Sequence, residues 1–294
     1  MIPPKVIAEV GCNHKGDLMI AKQMINVAAS FSGVDVIKFQ KRNPQEALSP
    51  NQYNSVHPVP ENSYGQTYGA HREFLEFTVD QHRELKATCE ENRVEYSSSV
   101  FDLTSAKEIA SLNPRFIKIP SQGNLRFGML EYLCDEYHGD MHVSFGMTTH
   151  LEEQEIVEVF VKKGRAKNLV IYSCTSGYPV AHEDLCLLEI VRLKNTYGST
   201  VKEIGFSGHH NGIAADVAAT TLGVSWIERH FTLDRTWKGT DHAASLEPDG
   251  LRRLVRDVRN VSKALEYKHQ EILDSEMPNR NKEKYTAEKY VAQR

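Results

Sequence analysis

Short runs of β-branched and other apolar residues alternate with longer amphipathic stretches along most of the chain. The runs at 6–10, 34–40, 94–99, 116–121, 142–145, 169–174, 204–209 and 225–231 read as strands. Between them the apolar spacing turns helical at 17–29, 79–91, 105–112, 129–137, 152–162, 183–196 and 212–222, and an eighth such stretch, 248–268, follows the last strand. Eight strands each followed by a helix predict an α/β fold, a closed parallel (β/α)8 TIM barrel in a single domain. An open doubly wound sheet gives the same alternation. No GxGxxG follows the first strand, which counts against the dinucleotide-binding version of that fold.

Two stretches fall outside the alternation. Residues 41–77 separate the second strand from its helix and carry Pro44, Pro50, Pro58, Pro60, Gly65 and Gly69 with Tyr53, Tyr64 and Tyr68. A connection of that length predicts a functional lid, with disorder as the alternative, and the tyrosines give a lid something to pack. The barrel is expected over residues 1–268. Residues 269–294, ending NRNKEKYTAEKYVAQR, read as a polar tail.

Strands buried on both faces should be almost continuously apolar, yet here nearly every one carries polar or ionisable residues near its C-terminal end. They are Glu9, then Lys38 and Gln40, then Ser97, Ser98 and Ser99, then Lys118 and Ser121. Ser176 and Tyr178 follow the sixth strand, Ser207 and His209 close the seventh, and Glu228 and His230 close the eighth. In a barrel these ends meet at one rim, where barrel enzymes keep their chemistry. Taken singly, Ser97, Ser98 and Glu228 read as buried hydrogen-bonded polar residues. The two lysines together need an anion. Glu9 can serve one of them internally, whereas a substrate phosphate or carboxylate serves both.

His209 and His230 end successive strands, so their rings can approach a common divalent ion such as Mn²⁺ or Zn²⁺. The competing reading is one general base and one structural histidine, and neighbouring His210 is a decoy for either. Asp241, in GTDHAAS after the eighth strand, suits a metal ligand, a base or an acceptor for a sugar hydroxyl.

Composition narrows the class without changing the fold. The chain has 294 residues, 40% hydrophobic and 25% charged, with a formal net charge of −4. That balance predicts no general affinity for nucleic acid or membrane surfaces. Cys12, Cys89, Cys134, Cys174 and Cys186 are odd in number, scattered and without a CxxC pair, as expected of reduced thiols in the cytoplasm. No secretory leader pattern and no apolar run of about 20 residues is found, which also predicts a cytoplasmic protein.

Several stretches carry a resemblance. AEVGCNHKG (8–16), VIKFQK (36–41), IKIPS (117–121), SCTSGYP (173–179), GFSGHH (205–210) and above all WIERHFTLDRTWKGTDHAASLEP (226–248) are similar to the sialic acid (N-acetylneuraminate) synthase family. The resemblance covers the barrel, from about residue 5 to residue 268. It implies an enzyme that condenses phosphoenolpyruvate with an aldose such as N-acetylmannosamine, giving a nine-carbon 2-keto-3-deoxy acid and phosphate. It also implies a divalent metal, usually Mn²⁺, on His209 and His230, with Glu9, Lys38 and Asp241 at the reacting centre. Gln40, Ser99, Lys118, Ser121, Ser176, Tyr178 and Ser207 would bind substrate.

Three departures qualify what is implied. Gly123 stands where the family commonly has an acid that handles the sugar, and Ser99 stands for a threonine. The C-terminal antifreeze-like domain, which in family dimers reaches a neighbouring subunit with an arginine, is not in this sequence. The expected partners are therefore a second copy in a homodimer, and either a separate antifreeze-like polypeptide or a local arginine (Arg42, Arg72) in place of that domain. A related phosphoenolpyruvate-dependent synthase of another 2-keto-3-deoxy sugar acid, a metal-dependent aldolase or isomerase, and a non-catalytic binding barrel are the rival readings.

Overall fold

The structure is a computed structural model that describes residues 2–284. Eight parallel strands close on themselves in chain order. They are β1 (Lys5–Gly11), β2 (Val36–Lys41), β3 (Glu95–Val100), β4 (Phe116–Ile119), β5 (Asp140–Ser144), β6 (Leu169–Cys174), β7 (Glu203–Gly208) and β8 (Trp226–His230). The closed barrel rather than the open sheet is what forms.

Local chemistry sets the element boundaries. Helix Val79–Glu91 starts at a capping box of Thr78 and Gln81, and His150–Lys162 at one of Thr149 and Glu152. Strand β4 stops at Ile119 instead of running to 121 because Pro120 has no N–H for the ladder. The helix expected over 183–196 is shortened to Glu189–Tyr197, since Cys186 sits at φ 46°, outside helical space. Residues 41–77 are folded, not disordered. They form short helices Pro44–Ala47, Pro50–Asn54 and Tyr68–Leu75, which pack on one another. Beyond helix Pro248–Ala264 the chain carries helix Met277–Glu283, none of whose side chains is buried. The rest of the expected tail, 285–294, lies outside the described residues.

Because side chains alternate across a strand, every second residue faces the barrel interior. The even-numbered strands supply one layer from Val36, Phe116, Val170 and Trp226, which with Ile7 and Tyr172 form a core cluster of their own. His142 joins this floor, its ring 3.9 Å from Phe116 and its Nδ1 2.8 Å from the Tyr172 hydroxyl. Gly205 makes room for it, since a Cβ there would lie 2.5 Å from the Tyr172 ring. Two residues further along the same strands the layer becomes Lys38, Lys118, Tyr172 and Glu228. An apolar floor thus supports a charged layer, and the larger core lies outside, between strands and helices. No described helix is long and apolar enough to cross a membrane.

Burial leaves several histidines neutral. It holds His14 and His82 down to about 3, and His142 well below the usual imidazole value, where the nearby Lys118 charge acts in the same direction. Backbone N–H of Gly16 donates to His14 Nδ1, which only an unprotonated nitrogen accepts. Unfolded imidazoles titrate near 6.5, so below that pH the unfolded chain binds protons that these three histidines refuse. Stability is therefore full above about pH 6.5 and falls as pH drops, each histidine contributing about 1.4 kcal/mol per pH unit. Glu9, raised to about 7 by burial, binds its proton in the fold and offsets one of the three. Urea unfolding at successive pH values between 7.5 and 4.5 checks this, and a midpoint that holds or rises on acidification would refute it.

Candidate active site

The C-terminal ends of the strands surround one cavity of about 210 Å³. Glu9, Lys38, Gln40, Ser99, Lys118, Ser121, Tyr178, Ser207, His209, His230 and Asp241 all line it. Residues from β1, β2, β3, β4, β7, β8 and their loops therefore meet as the strand pattern predicts. Ser176 is the exception. It lines the neighbouring groove between the β5 and β6 loops, behind Ser121, because Gly146 brings the two loops together.

The floor is a chain of opposite charges. Lys38 Nζ lies 2.5 Å from Glu9 Oε2 and 3.6 Å from Glu228 Oε1, and Lys118 Nζ lies 2.7 Å from Glu228 Oε2. Lys38 also donates to Ser99 Oγ at 2.6 Å, and Ser207 Oγ donates to Glu228 Oε1 at 3.3 Å. Lys118 lies over the Tyr172 ring, 4.1 Å from its centre. All four charged side chains are at most 6% exposed. Glu228 is a buried hydrogen-bonded residue, as expected, and in addition bridges both lysines. One expectation is corrected: the lysines by themselves do not require an external anion, since Glu9 and Glu228 already match them.

The two carboxylates differ in protonation. Burial pushes both up, but Glu228 faces two ammonium groups, which hold it at about 2. Glu9 faces one, so burial wins and raises it to about 7. Gln40 orients Glu9, its Nε2 donating to Oε1 at 2.8 Å. A β-bulge between Glu9 and Gly11 turns the end of β1, with Gly11 at φ 55° against Gln40, Glu9 and His230.

Above the floor, the His209 and His230 ring centres are 5.4 Å apart, with the Tyr178 ring 4.3 Å from the first and 5.8 Å from the second. Val180 N–H donates to the His209 carbonyl and so places Tyr178 over the pair. His209 Nδ1 lies 3.0 Å from the Thr175 carbonyl, which fixes a proton on Nδ1. Burial opposes charging this ring, but its hydrogen bond to Cys174, helped by the Thr175 carbonyl, outweighs burial and raises His209 above the ordinary imidazole range. His230 Nδ1 is buried without a hydrogen-bond partner, 3.9 Å from Asp241 Oδ2. Burial holds His230 down to about 4, and His230 with Arg72 holds the Asp241 carboxyl below its ordinary range although burial alone would raise it. His210 points away and is structural, its Nε2 3.1 Å from Arg229 and 3.3 Å from Asp216. Among the described residues no group of three or more His, Cys, Asp and Glu side chains is placed to hold a metal ion.

The matching family model is that of the NeuB family, over residues 24–270. The chain belongs to the NeuB family. Human N-acetylneuraminate-9-phosphate synthase is 39% identical over 280 residues, 94% of this chain and 75% of the relative. N,N'-diacetyllegionaminic acid synthase of Campylobacter jejuni is 31% identical over 261 residues, 88% of this chain and 77% of the relative. Among solved structures, the N-acetylneuraminic acid (sialic acid) synthetase of Leptospira borgpetersenii in complex with citrate superposes with TM-score 0.78 at 28% identity, covering 97% of this chain and 93% of that one. Membership of the NeuB family makes the chain a synthase enzyme on one (β/α)8 barrel.

Within this NeuB-family cavity sequence reasoning missed the bridging role of Glu228 and three lining residues. Cys174 and Ser144 line the cavity, and alternation along β5 and β6 could have found them. Gln122, not Gly123, follows Ser121 in the lining. Arg42 and Arg72, the local arginines offered by the sequence, do reach in from the 41–77 segment.

Removing one member of a buried ion network costs about 3–5 kcal/mol, because the partner's charge stays behind unpaired. Glu228→Gln leaves Lys118 without a carboxylate and should lose that much stability in urea at neutral pH. Ser207→Ala, which removes one long hydrogen bond, should lose about 1 kcal/mol. Equal losses in the two variants would show that Glu228 does not bridge the lysines.

Proposed function

We propose that this chain condenses phosphoenolpyruvate with the open-chain form of an aldose, giving a sialic-acid-like nine-carbon 2-keto-3-deoxy acid and inorganic phosphate. The observation that carries the reading is the buried Glu9–Lys38–Glu228–Lys118 layer at the same strand ends as the paired imidazoles of His209 and His230 in a NeuB-family barrel.

Lys38 and Lys118 supply the positive charge for the carboxylate and phosphate of phosphoenolpyruvate. The hydroxyls of Ser99, Ser121, Ser144 and Ser207 line the same wall and suit oxygens that accept many hydrogen bonds. Holding the two substrates together places C3 of the enol against the aldehyde carbon. C3 forms the new C–C bond, the aldehyde oxygen takes a proton, and C2 becomes electron-deficient. Water adds to C2, and the C2–O bond to phosphate breaks to leave the ketone. Glu9, raised to about 7, is the carboxyl that can give or take a proton near neutral pH. Glu228 stays ionised and keeps Lys118 and Lys38 in place. Asp241 lies at the rim to accept a sugar hydroxyl, and Tyr178 covers the histidines.

The donor set fits a divalent cation, Mn²⁺ in our reading. His230 has an unpartnered buried nitrogen, and His209 has its tautomer fixed from behind by a backbone carbonyl. His209 and His230 would hold it. It would supply Lewis-acid polarisation of the aldehyde, with open positions for substrate oxygen and water.

The relatives leave the acceptor open. The human enzyme's name puts a phosphate on C9 of its product, and the Campylobacter enzyme's does not. We place the enzyme in the cytoplasm, as a homodimer in keeping with the resemblance.

Phosphate release from phosphoenolpyruvate with a panel of aldoses, with and without Mn²⁺ after chelation, tests the reading. Release should depend on both sugar and metal, and His209→Ala or His230→Ala should lower it by at least about 100-fold. Release independent of sugar refutes the condensation, and both variants binding Mn²⁺ as tightly as wild type refutes the ligand assignment.

A further inference from the structure

The long 41–77 segment begins and ends at one ion pair. Arg42 is the first residue past β2, and Glu76 caps the helix Tyr68–Leu75 that closes the segment. Arg42 Nε lies 3.1 Å from Glu76 Oε1, and the Arg42 backbone N–H donates to Glu76 Oε2 at 2.9 Å. Both side chains are buried, and the guanidinium lies over the Phe101 ring, 3.9 Å from its centre. The same guanidinium lines the cavity. Its Nη2 donates to Gln40 Oε1, which also takes a weak hydrogen bond from the Cys12 thiol at 3.5 Å. Gln40 Nε2 donates onward to Glu9 Oε1 at 2.8 Å, and Glu9 Oε2 lies 2.5 Å from Lys38 Nζ. One line of contacts therefore runs from the base of the segment to the reacting centre.

The hydrogen bonds along this line have a single direction. A guanidinium donates and never accepts, so Gln40 presents its oxygen to Arg42 and its NH2 group to Glu9. Turned over, the amide would set donor against donor at Arg42 and oxygen against oxygen at Glu9, leaving partly buried polar groups unsatisfied. Gly11 gives the amide its place, since a Cβ there would lie 3.1 Å from Gln40 Nε2 and 3.3 Å from Glu9 Oε1. Glu9 Oε1 is thereby held by Gln40, and Oε2 stays beside Lys38. Without Arg42, either end of the Gln40 amide could face Glu9. Arg42 is itself engaged with the protein on two sides, at Glu76 and at Gln40.

We propose that Arg42 is a positioning residue for the condensation proposed above, on which this inference rests: clamped by Glu76 at the base of the 41–77 segment, it fixes the amide of Gln40 and through it the carboxyl of Glu9. A seated segment and an aligned Glu9 then go together, although the segment lies between β2 and its helix and Glu9 stands on β1.

The test measures phosphate release from phosphoenolpyruvate, with the most active aldose of the panel above, for wild type, Arg42→Met, Arg42→Lys, Gln40→Ala and the double variant Arg42→Met/Gln40→Ala. Arg42→Met should lower kcat by about 10- to 100-fold, the scale of one hydrogen bond to a charged group. KM for both substrates should stay within a factor of about three, since Arg42 acts on Glu9 and not on a ligand. Arg42→Lys keeps a charge opposite Glu76, but one ammonium cannot hold Glu76 and Gln40 together as the fork does, so its kcat should fall between the two. It carries the comparison if Arg42→Met does not fold, which urea midpoints measured alongside will tell. In the Gln40→Ala background, Arg42→Met should cost less than about 3-fold, because the side chain it acts through is already gone. An equal loss of kcat with and without Gln40, a loss carried by KM for either substrate, or a wild-type kcat in Arg42→Lys together with Arg42→Met overturns the proposal while leaving the condensation intact. No sugar-dependent release by wild type overturns the condensation and this inference with it.

Discussion

Lys38, Lys118 and Glu228 sit in a layer of the barrel interior that would ordinarily be filled by branched aliphatic side chains, and Glu9 closes the network from β1. Removing four charges from water costs several kcal/mol each, and the cost is offset only if every charge meets an opposite charge and further hydrogen bonds. The barrel meets that condition by geometry. Strands β2, β4 and β8 direct their residues at the axis, so side chains distant in sequence converge to within 2.5–3.6 Å. Ser99 and Ser207 take up remaining hydrogen bonds, and the Tyr172 ring carries Lys118 from below. The aromatic floor of Phe116, His142 and Trp226 holds that ring, which is why Gly205 opposite it has no side chain.

This layer also shows where sequence reading stops. Strand positions, helix starts and the polar residues at strand ends follow from periodicities of two and 3.6 and from capping residues, all of which are local. Pairing across the barrel axis is not local. Lys118 and Glu228 are 110 positions apart on strands that do not touch, so no spacing rule joins them. Glu228, taken singly, therefore reads as a buried hydrogen-bonded residue, and the lysines read as needing an external anion, whereas the fold itself supplies a carboxylate to each. Ser176 fails for a related reason. Once the strand ends, alternation no longer says which way a side chain faces, and the β6 loop turns Ser176 behind Ser121. The 41–77 segment was legible as something that packs, through its tyrosines. Its partner, the loop after β8, was not, because the Tyr64 hydroxyl and the Lys238 carbonyl are joined only by closure of the barrel.

The histidines above the layer depend on the same closure. Strand β8 hydrogen-bonds to both β1 and β7, so His230 stands opposite Glu9 on one side while His209 follows from β7 on the other. Burial keeps His230 neutral, whereas His209, buried too, is raised by its contact with Cys174, and the Thr175 carbonyl behind it holds a proton on Nδ1. The same burial, applied to His14, His82 and His142 in the body of the fold, gives no site because hydroxyl, aromatic or backbone neighbours occupy the surroundings. A buried neutral histidine becomes chemically useful here only where it opens into the cavity.

A floor whose charges already cancel constrains how anions can enter. With Glu9 and Glu228 matched to Lys38 and Lys118, an incoming phosphate and carboxylate must take over ammonium hydrogen bonds from those carboxylates or bring compensating charge with them. Glu9 is the weaker competitor, since it faces one lysine and sits near its protonation midpoint at neutral pH. Protonating it frees Lys38 for substrate without leaving a second buried anion beside the first. Glu228, facing both lysines, cannot be neutralised as readily and remains the fixed partner of Lys118. The asymmetry between two chemically similar carboxylates, one bridging and one terminal, thus divides the floor into a permanent part and a part that can exchange its anion, and it follows from which strands they stand on.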